Sequence, residues 1–144
     1  MGYDINETLI NAAKTTYSKH SDCFKVVDIL NDEVNQTFDY VVLSGLFNSN
    51  YGQDFQWVCT FIEKMYALSN KKVIFNAIST YTNSKEETMY YIDPLQISDF
   101  IIRPNDSPCC AFLISSHVYP KIFIYQSHSS GVIEAQVEHR SGIN

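Results

Sequence analysis

The segment Phe38–Asn48, FDYVVLSGLFN, constrains the fold of this chain more than any other. After Asp39 come four apolar residues, Tyr40, Val41, Val42 and Leu43, and the pattern then breaks to Ser44, Gly45 and Asn48. A short continuous apolar run closed by small and polar residues predicts a strand buried on both faces. Open parallel α/β sheets bind ligands outside the carboxyl ends of their strands, so the polar end is a candidate site. For one strand alone, Ser44 and Gly45 can equally be simple strand terminators.

A second strand follows the same plan. KKVIFNAIST, Lys71–Thr80, has an apolar middle at Val73, Ile74 and Phe75 and a polar end at Asn76, Ser79 and Thr80. Between the two strands, Phe55, Val58, Phe61, Ile62, Met65, Tyr66 and Leu68 recur at helical spacing, with Asp54 placed as the N-terminal cap. Strand, helix, strand at this spacing predicts a parallel βαβ unit. Two polar strand ends on one sheet edge strengthen the case for a site.

The N-terminus reads in the same way. Met1–Asp4 is a short extended piece, and Asn6 can cap a helix with an apolar stripe of Leu9, Ile10, Ala13 and Tyr17. Phe24–Ile29, FKVVDI, is a third strand candidate. Asp4 and Asp28 therefore both end strands, where an Asp serves as readily as a turn former or helix cap.

In the last third, Asp93-Pro94 starts a helix with an apolar face of Leu95, Ile97, Phe100, Ile101 and Ile102. Arg103–Pro108 is a turn-rich loop, and Cys110–Ile114 and Ile122–Tyr125 are strands joined through HVYPK. Beyond Ser127 the pattern weakens. The expected organisation is one α/β domain over 1–128 and a mobile tail over 129–144, with room for a short extra element.

GYDINETLINAAKTTY, FKVVDI, FDYVVLSGLFN, KKVIFNAIST and MYYIDPLQISDF together resemble the class I S-adenosylmethionine-dependent methyltransferases, most closely a small bacterial branch whose substrate is usually unassigned. The resemblance spans about Gly2 to Ser127. It implies a Rossmann-like sheet, mostly parallel, ending in an antiparallel hairpin, with strand order 3-2-1-4-5-7-6. It also implies S-adenosyl-L-methionine as cofactor. Asp4 matches the residue that holds the ribose hydroxyls, Asp28 the one facing the adenine amine, and Ile29 the one packing on the ring. Ser44, Gly45 and Asn48 match the strand end beside the methionine part. Strand-end position alone, apart from the resemblance, makes Asn48, Asn76 and Tyr81 candidates for orienting a methyl acceptor by hydrogen bonds.

The departure is equally specific. The family's first strand, its GxGxG turn and its first helix find no match here, and the five glycines are scattered. The missing strand is the central one, so the Tyr3 and Val41 strands would lose their shared neighbour. The expectation is a methyltransferase domain that is N-terminally incomplete, as a fragment or one half of a split enzyme. The rival from another class is a catalytically inactive binding or regulatory module, and a decayed gene product is a third reading. An exposed central edge would favour self-association or a complementary chain.

Bulk properties fit one folded domain. Of 144 residues, 45% are hydrophobic, enough for a core rather than a disordered chain. The net charge of -6, without a lysine or arginine cluster, argues against a nucleic-acid partner. No apolar run reaches membrane-spanning length and no signal-peptide pattern opens the chain, so no membrane association and a cytoplasmic location are expected. Cys23, Cys59, Cys109 and Cys110 lack paired zinc-site spacing, and Cys59 and Cys110 read as buried thiols. No metal is expected, and no residue stands out as a general base.

Overall fold

The computed structural model of the chain contains the central βαβ unit that the sequence predicts. It describes residues 1–82 and 84–101 and the backbone of three further strands at 110–115, 120–127 and 133–137. The chain divides into two compact units, Met1–Gln36 and Thr37–Asn144.

In the first unit, strand β1 (Gly2–Asp4) pairs in parallel with β2 (Phe24–Val26), as a two-stranded sheet of its own. Gly2 stands opposite Phe24, and a Cβ there would meet the ring at 2.9 Å, so the close approach needs glycine. Helix α1 (Glu7–Thr16) connects the two strands. The Asn6 side chain accepts from the N–H groups of Thr8 (2.9 Å) and Leu9 (3.3 Å), as an N-cap does. The expected apolar stripe is only partly realised. Ile10 is buried, but Leu9 is exposed, and Tyr17 lies past the helix end with its ring stacked on Phe24 at 5.9 Å. The strand predicted through Ile29 stops at Val26, because Asp28 folds the chain into a turn.

The second unit is built on one mixed sheet. Strand β3 (Phe38–Leu43) leads through a 3-10 turn at Leu46–Asn48 to helix α2 (Phe55–Leu68), which passes directly into β4 (Ser69–Ser79). Asp54 caps α2, its Oδ1 accepting from Trp57 N–H at 2.9 Å. The α2 positions Val58, Phe61, Ile62 and Met65 are buried as their spacing predicts, and the Cys59 thiol is buried beside them. Helix α2 packs on β4, whose alternate positions Val73, Phe75 and Ala77 are buried as well. Between Phe38 and Tyr40 the register slips, β4 carrying one residue more than β3, and Lys71 reaches Asp39 at 2.7 Å.

Strand β5 (Tyr91–Ile92) pairs in parallel with the end of β4, and helix α3 (Pro94–Ile101) follows. Asp93 caps α3 through Leu95 N–H at 2.9 Å, as expected. Pro94 and Ile97 are buried, whereas Leu95 turns outward, and Ile102 lies outside the described residues. Strands β6 (Cys110–Ser115), β7 (Pro120–Ser127) and β8 (Ile133–Val137) complete the sheet in the order β3-β4-β6-β7-β8. β6 runs parallel to β4, and β7 and β8 are antiparallel additions.

The class is therefore mixed α/β with parallel pairing, and several finer expectations change. β3 was expected to be covered on both faces. It is the sheet's edge strand instead, with Tyr40 and Val42 55% and 65% exposed. The resemblance implied a reversed strand next to the βαβ unit, but the neighbour of β4 is the parallel β6, and the reversed strands lie beyond it. Within 129–144, read as a mobile tail with room for a short extra element, residues 133–137 form β8. The loop Arg103–Pro108, the residue Cys109, the Cys110 side chain and most of the HVYPK connection lie outside the described residues.

Candidate functional site

The sequence singled out eight positions, and the structure gathers them into two groups. Asp4, Asp28 and Ile29 belong to the first unit, and Ser44, Gly45, Asn48, Asn76 and Tyr81 to the second. One continuous parallel sheet carrying all of them was the expectation. Among the described residues, β1–β2 and β3–β4 belong to two separate sheets.

In the first group Asp4 ends β1, and Asp28 lies in the turn two residues past the end of the adjacent parallel strand β2. Asp4 stands opposite Val26, and its carbonyl accepts from Val27 N–H at 3.0 Å. Its Oδ1 accepts from Asn6 N–H at 2.7 Å, which ties the strand end to the helix cap. Asp28 is used more heavily. Its Oδ1 accepts from Leu30 N–H (3.1 Å) and its Oδ2 from the Asn31 side-chain amide (2.7 Å). Its own N–H donates to Asp32 Oδ2 at 2.8 Å, and its carbonyl accepts from the N–H groups of Asn31 and Asp32. The Asn31 side chain first, then Leu30 N–H, hold the Asp28 carboxyl below its ordinary range. Ile29 is half-buried inside this turn.

The second group is built around Gly45. This residue takes φ +86°, which a side chain disfavours, and so lets β3 turn sharply at its carboxyl end. Its N–H donates to Oδ1 of Asn76 on the adjacent β4 at 2.8 Å. Its carbonyl accepts from Asn48 N–H at 3.0 Å. Gly45, Asn48 and Asn76 are thus brought together, as the strand-end argument requires. Ser44 precedes them with its side chain exposed. Tyr81 does not join them closely. Its N–H donates to Ser79 Oγ at 3.0 Å, and its ring is 57% exposed.

Beneath this turn Phe47 is wholly buried. Its ring meets those of Phe75 (5.6 Å), Trp57 (6.0 Å) and Phe61 (6.0 Å) edge-on. The turn is therefore anchored in the core shared by α2 and β4.

Sequence reasoning missed Asn50. Its N–H donates to Thr88 carbonyl at 2.9 Å and its side-chain amide to Glu87 carbonyl at 3.0 Å. Ser49 bridges Met89, and Tyr90 N–H donates to Asn48 carbonyl at 3.0 Å. The loops after β3 and β4 are thereby laced together over the strand ends. The only local signal was the run of Asn48, Asn50 and Gly52. Tyr90 packs beside this lacing, where burial first, then the charge of Asp54 and then Cys59, push its phenol above the ordinary range. Asn48 Oδ1 is enclosed there without a hydrogen-bond partner.

Chemically, this second group offers amides, a hydroxyl and backbone groups, which orient a bound molecule by hydrogen bonds. Among the described residues, no helix is long and apolar enough to cross a membrane. In comparisons with known proteins, the chain matches no family model, no curated protein and no solved structure.

Proposed function

We propose that these residues form part of an S-adenosylmethionine-dependent methyltransferase domain. On this reading cofactor binding needs a Gly-rich turn supplied by a longer polypeptide or a complementary chain. One observation carries this reading. In each unit a parallel pair carries polar groups on its carboxyl side: Asp4 ends β1 and Asp28 follows β2, and Gly45 just past β3 is bonded to Asn76 of β4.

The fit to the cofactor is good at Asp4 and narrower at Asp28. Asp4 Oδ2 takes part in no hydrogen bond among the described residues and can receive a ribose hydroxyl. Both Asp28 oxygens already accept turn donors, so an adenine amine must share a remaining lone pair. Ile29 offers an apolar contact for the ring. Ser44 and Gly45 would lie along the methionine part, and Asn48, Asn76 and Tyr81 along the methyl acceptor. The sulfonium supplies the activated methyl group, and the protein's task is alignment and exclusion of water.

The second reading, a catalytically inactive binding or regulatory module, is favoured by the occupied Asp28 carboxylate and by the parallel β6 beside β4. Calorimetry separates the two. The chain alone should show no measurable heat with S-adenosylmethionine or S-adenosylhomocysteine. Supplied with a strand–GxGxG–helix segment, it should bind, and Asp4→Ala should weaken that affinity by about 10-fold or more, the loss of a hydrogen bond to a charged group. Micromolar affinity of the chain alone would show the Gly-rich turn to be dispensable. Absence of binding by the completed protein would leave the module reading.

A further inference from the structure

We infer that Met1–Gln36 opens and closes independently of Thr37–Asn144, so that its ordering is a separate step in assembling any site that uses Asp4 and Asp28. The functional consequence rests on the methyl-transfer reading; the opening itself does not.

The argument is one of unequal cores. Among the described residues, Ile10 is the sole buried hydrophobic side chain of the first unit, and the other twelve lie in the second. Ile5, Leu9 and Val26 are respectively 67%, 56% and 48% exposed. Segments below about 40 residues rarely hold a fold without a disulfide, a metal or a partner. Here Cys23 is free, the two strands have three residues each, and the helix has ten. A two-stranded sheet and a helix of that length are each marginal in water. One buried side chain does not offset the entropy of ordering the whole segment.

Beyond the three-residue β1–β2 ladder and the Val27 N–H bond to the Asp4 carbonyl, what the first unit possesses is local. The Asn6 cap, the Asp4–Asn6 bond and the Asp28 turn all join residues within four positions of each other. Such bonds shape short pieces without holding the pieces together. A long-range side-chain bond within the unit, from Gln36 to the Tyr3 hydroxyl, lies on the exposed surface. The segment is thus shaped in advance and weakly closed, and anything that covers its apolar residues shifts it toward the closed form.

Native-state hydrogen exchange on the full chain, without cofactor, tests this. The amides of α1, β1 and β2 should be protected at least about 100-fold less than those of α2 and β4. Equal protection in the two units would overturn the inference. Ile10→Ala supplies a second measurement. It should remove the remaining protection of α1 and leave the unfolding midpoint reported by Trp57 fluorescence unchanged. A parallel fall in that midpoint would show the units to open as one and would also overturn it. Neither measurement involves S-adenosylmethionine, so failure here is distinct from failure of the methyl-transfer reading.

Discussion

Replacing Asn76 by Ala tests the geometry where β3 ends beside β4 most directly. Asn76 Oδ1 accepts the half-buried Gly45 N–H at 2.8 Å, and truncation leaves that donor unpaired. A buried unpaired donor costs about 1–3 kcal/mol, and partial access to water puts the expectation at about 1–1.5 kcal/mol. Gly45→Ala perturbs the same contact from the other side. An added Cβ meets nothing within 4 Å, so its effect is backbone strain alone, about 1–2 kcal/mol for a left-handed residue. If the backbone of the Gly45→Ala variant relaxes out of the left-handed region, the N–H at that position leaves Asn76, and the hydrogen bond is then lost in either single variant. The double variant should therefore cost less than the two singles summed, by about 1 kcal/mol. Urea unfolding is the assay, followed by the fluorescence of Trp57, the chain's single tryptophan, which packs at 4.7 Å on Phe61 and reports the second unit alone. With a slope of about 1–2 kcal/mol per molar urea, Asn76→Ala should lower the midpoint by about 0.5–1.5 M. Asn76→Asp, which keeps an acceptor oxygen, should recover part of the loss. A midpoint unchanged by Asn76→Ala, together with an additive cycle, would refute the idea that this bond holds the strand ends together.

Two further outcomes follow from the same coordinates. Phe47→Ala should destabilise the second unit by about 3–5 kcal/mol, because the ring is wholly buried among three aromatic neighbours, and the Trp57-monitored midpoint checks it. The Asp28 carboxyl, held low by Asn31 and Leu30, contributes its turn bonds in full above the pKa of an unfolded Asp. That contribution is lost as pH falls through the lower folded value; titration of its carboxyl carbon by NMR should give a midpoint below that of an unfolded Asp.

What was legible in the sequence was whatever depends on local spacing. The caps at Asn6, Asp54 and Asp93 were read from residue type and position, and each makes the expected bond. The buried face of α2 followed from its period, and the parallel pairing of β3 with β4 from the helix between them. What was not legible depends on partners distant in sequence. Nothing in β3 itself tells whether it is central or at an edge. No local pattern announces that Asn50 will meet Thr88 and Glu87, because neither loop has a period and the contact is made by backbone carbonyls. Asp28 shows the complementary case. Its position fitted a turn former as well as a ligand, and Leu30 and Asn31 use both its carboxylate oxygens within three residues. A strand-end carboxylate is thus ambiguous until its hydrogen bonds are counted.

β3 is where the local and global demands of this chain disagree, and that disagreement bears most on what the chain does. Edge strands in stable sheets are guarded by charge, proline, brevity or a bulge. β3 has six residues, no proline, and a single charge, Asp39, which is paired with Lys71 and sits by the bulge at the start of the strand. Past that point Tyr40–Leu43 is wholly apolar or aromatic, and Tyr40 and Val42 remain exposed. The guard therefore protects the amino end and leaves the carboxyl half, beside Gly45 and Asn76, unguarded. Natural sequences agree with their folds at every level, and departures concentrate at functional sites. A strand written for two neighbours but, among the described residues, hydrogen-bonded to one is such a departure. It supports the proposal that this sheet acquires another strand along β3.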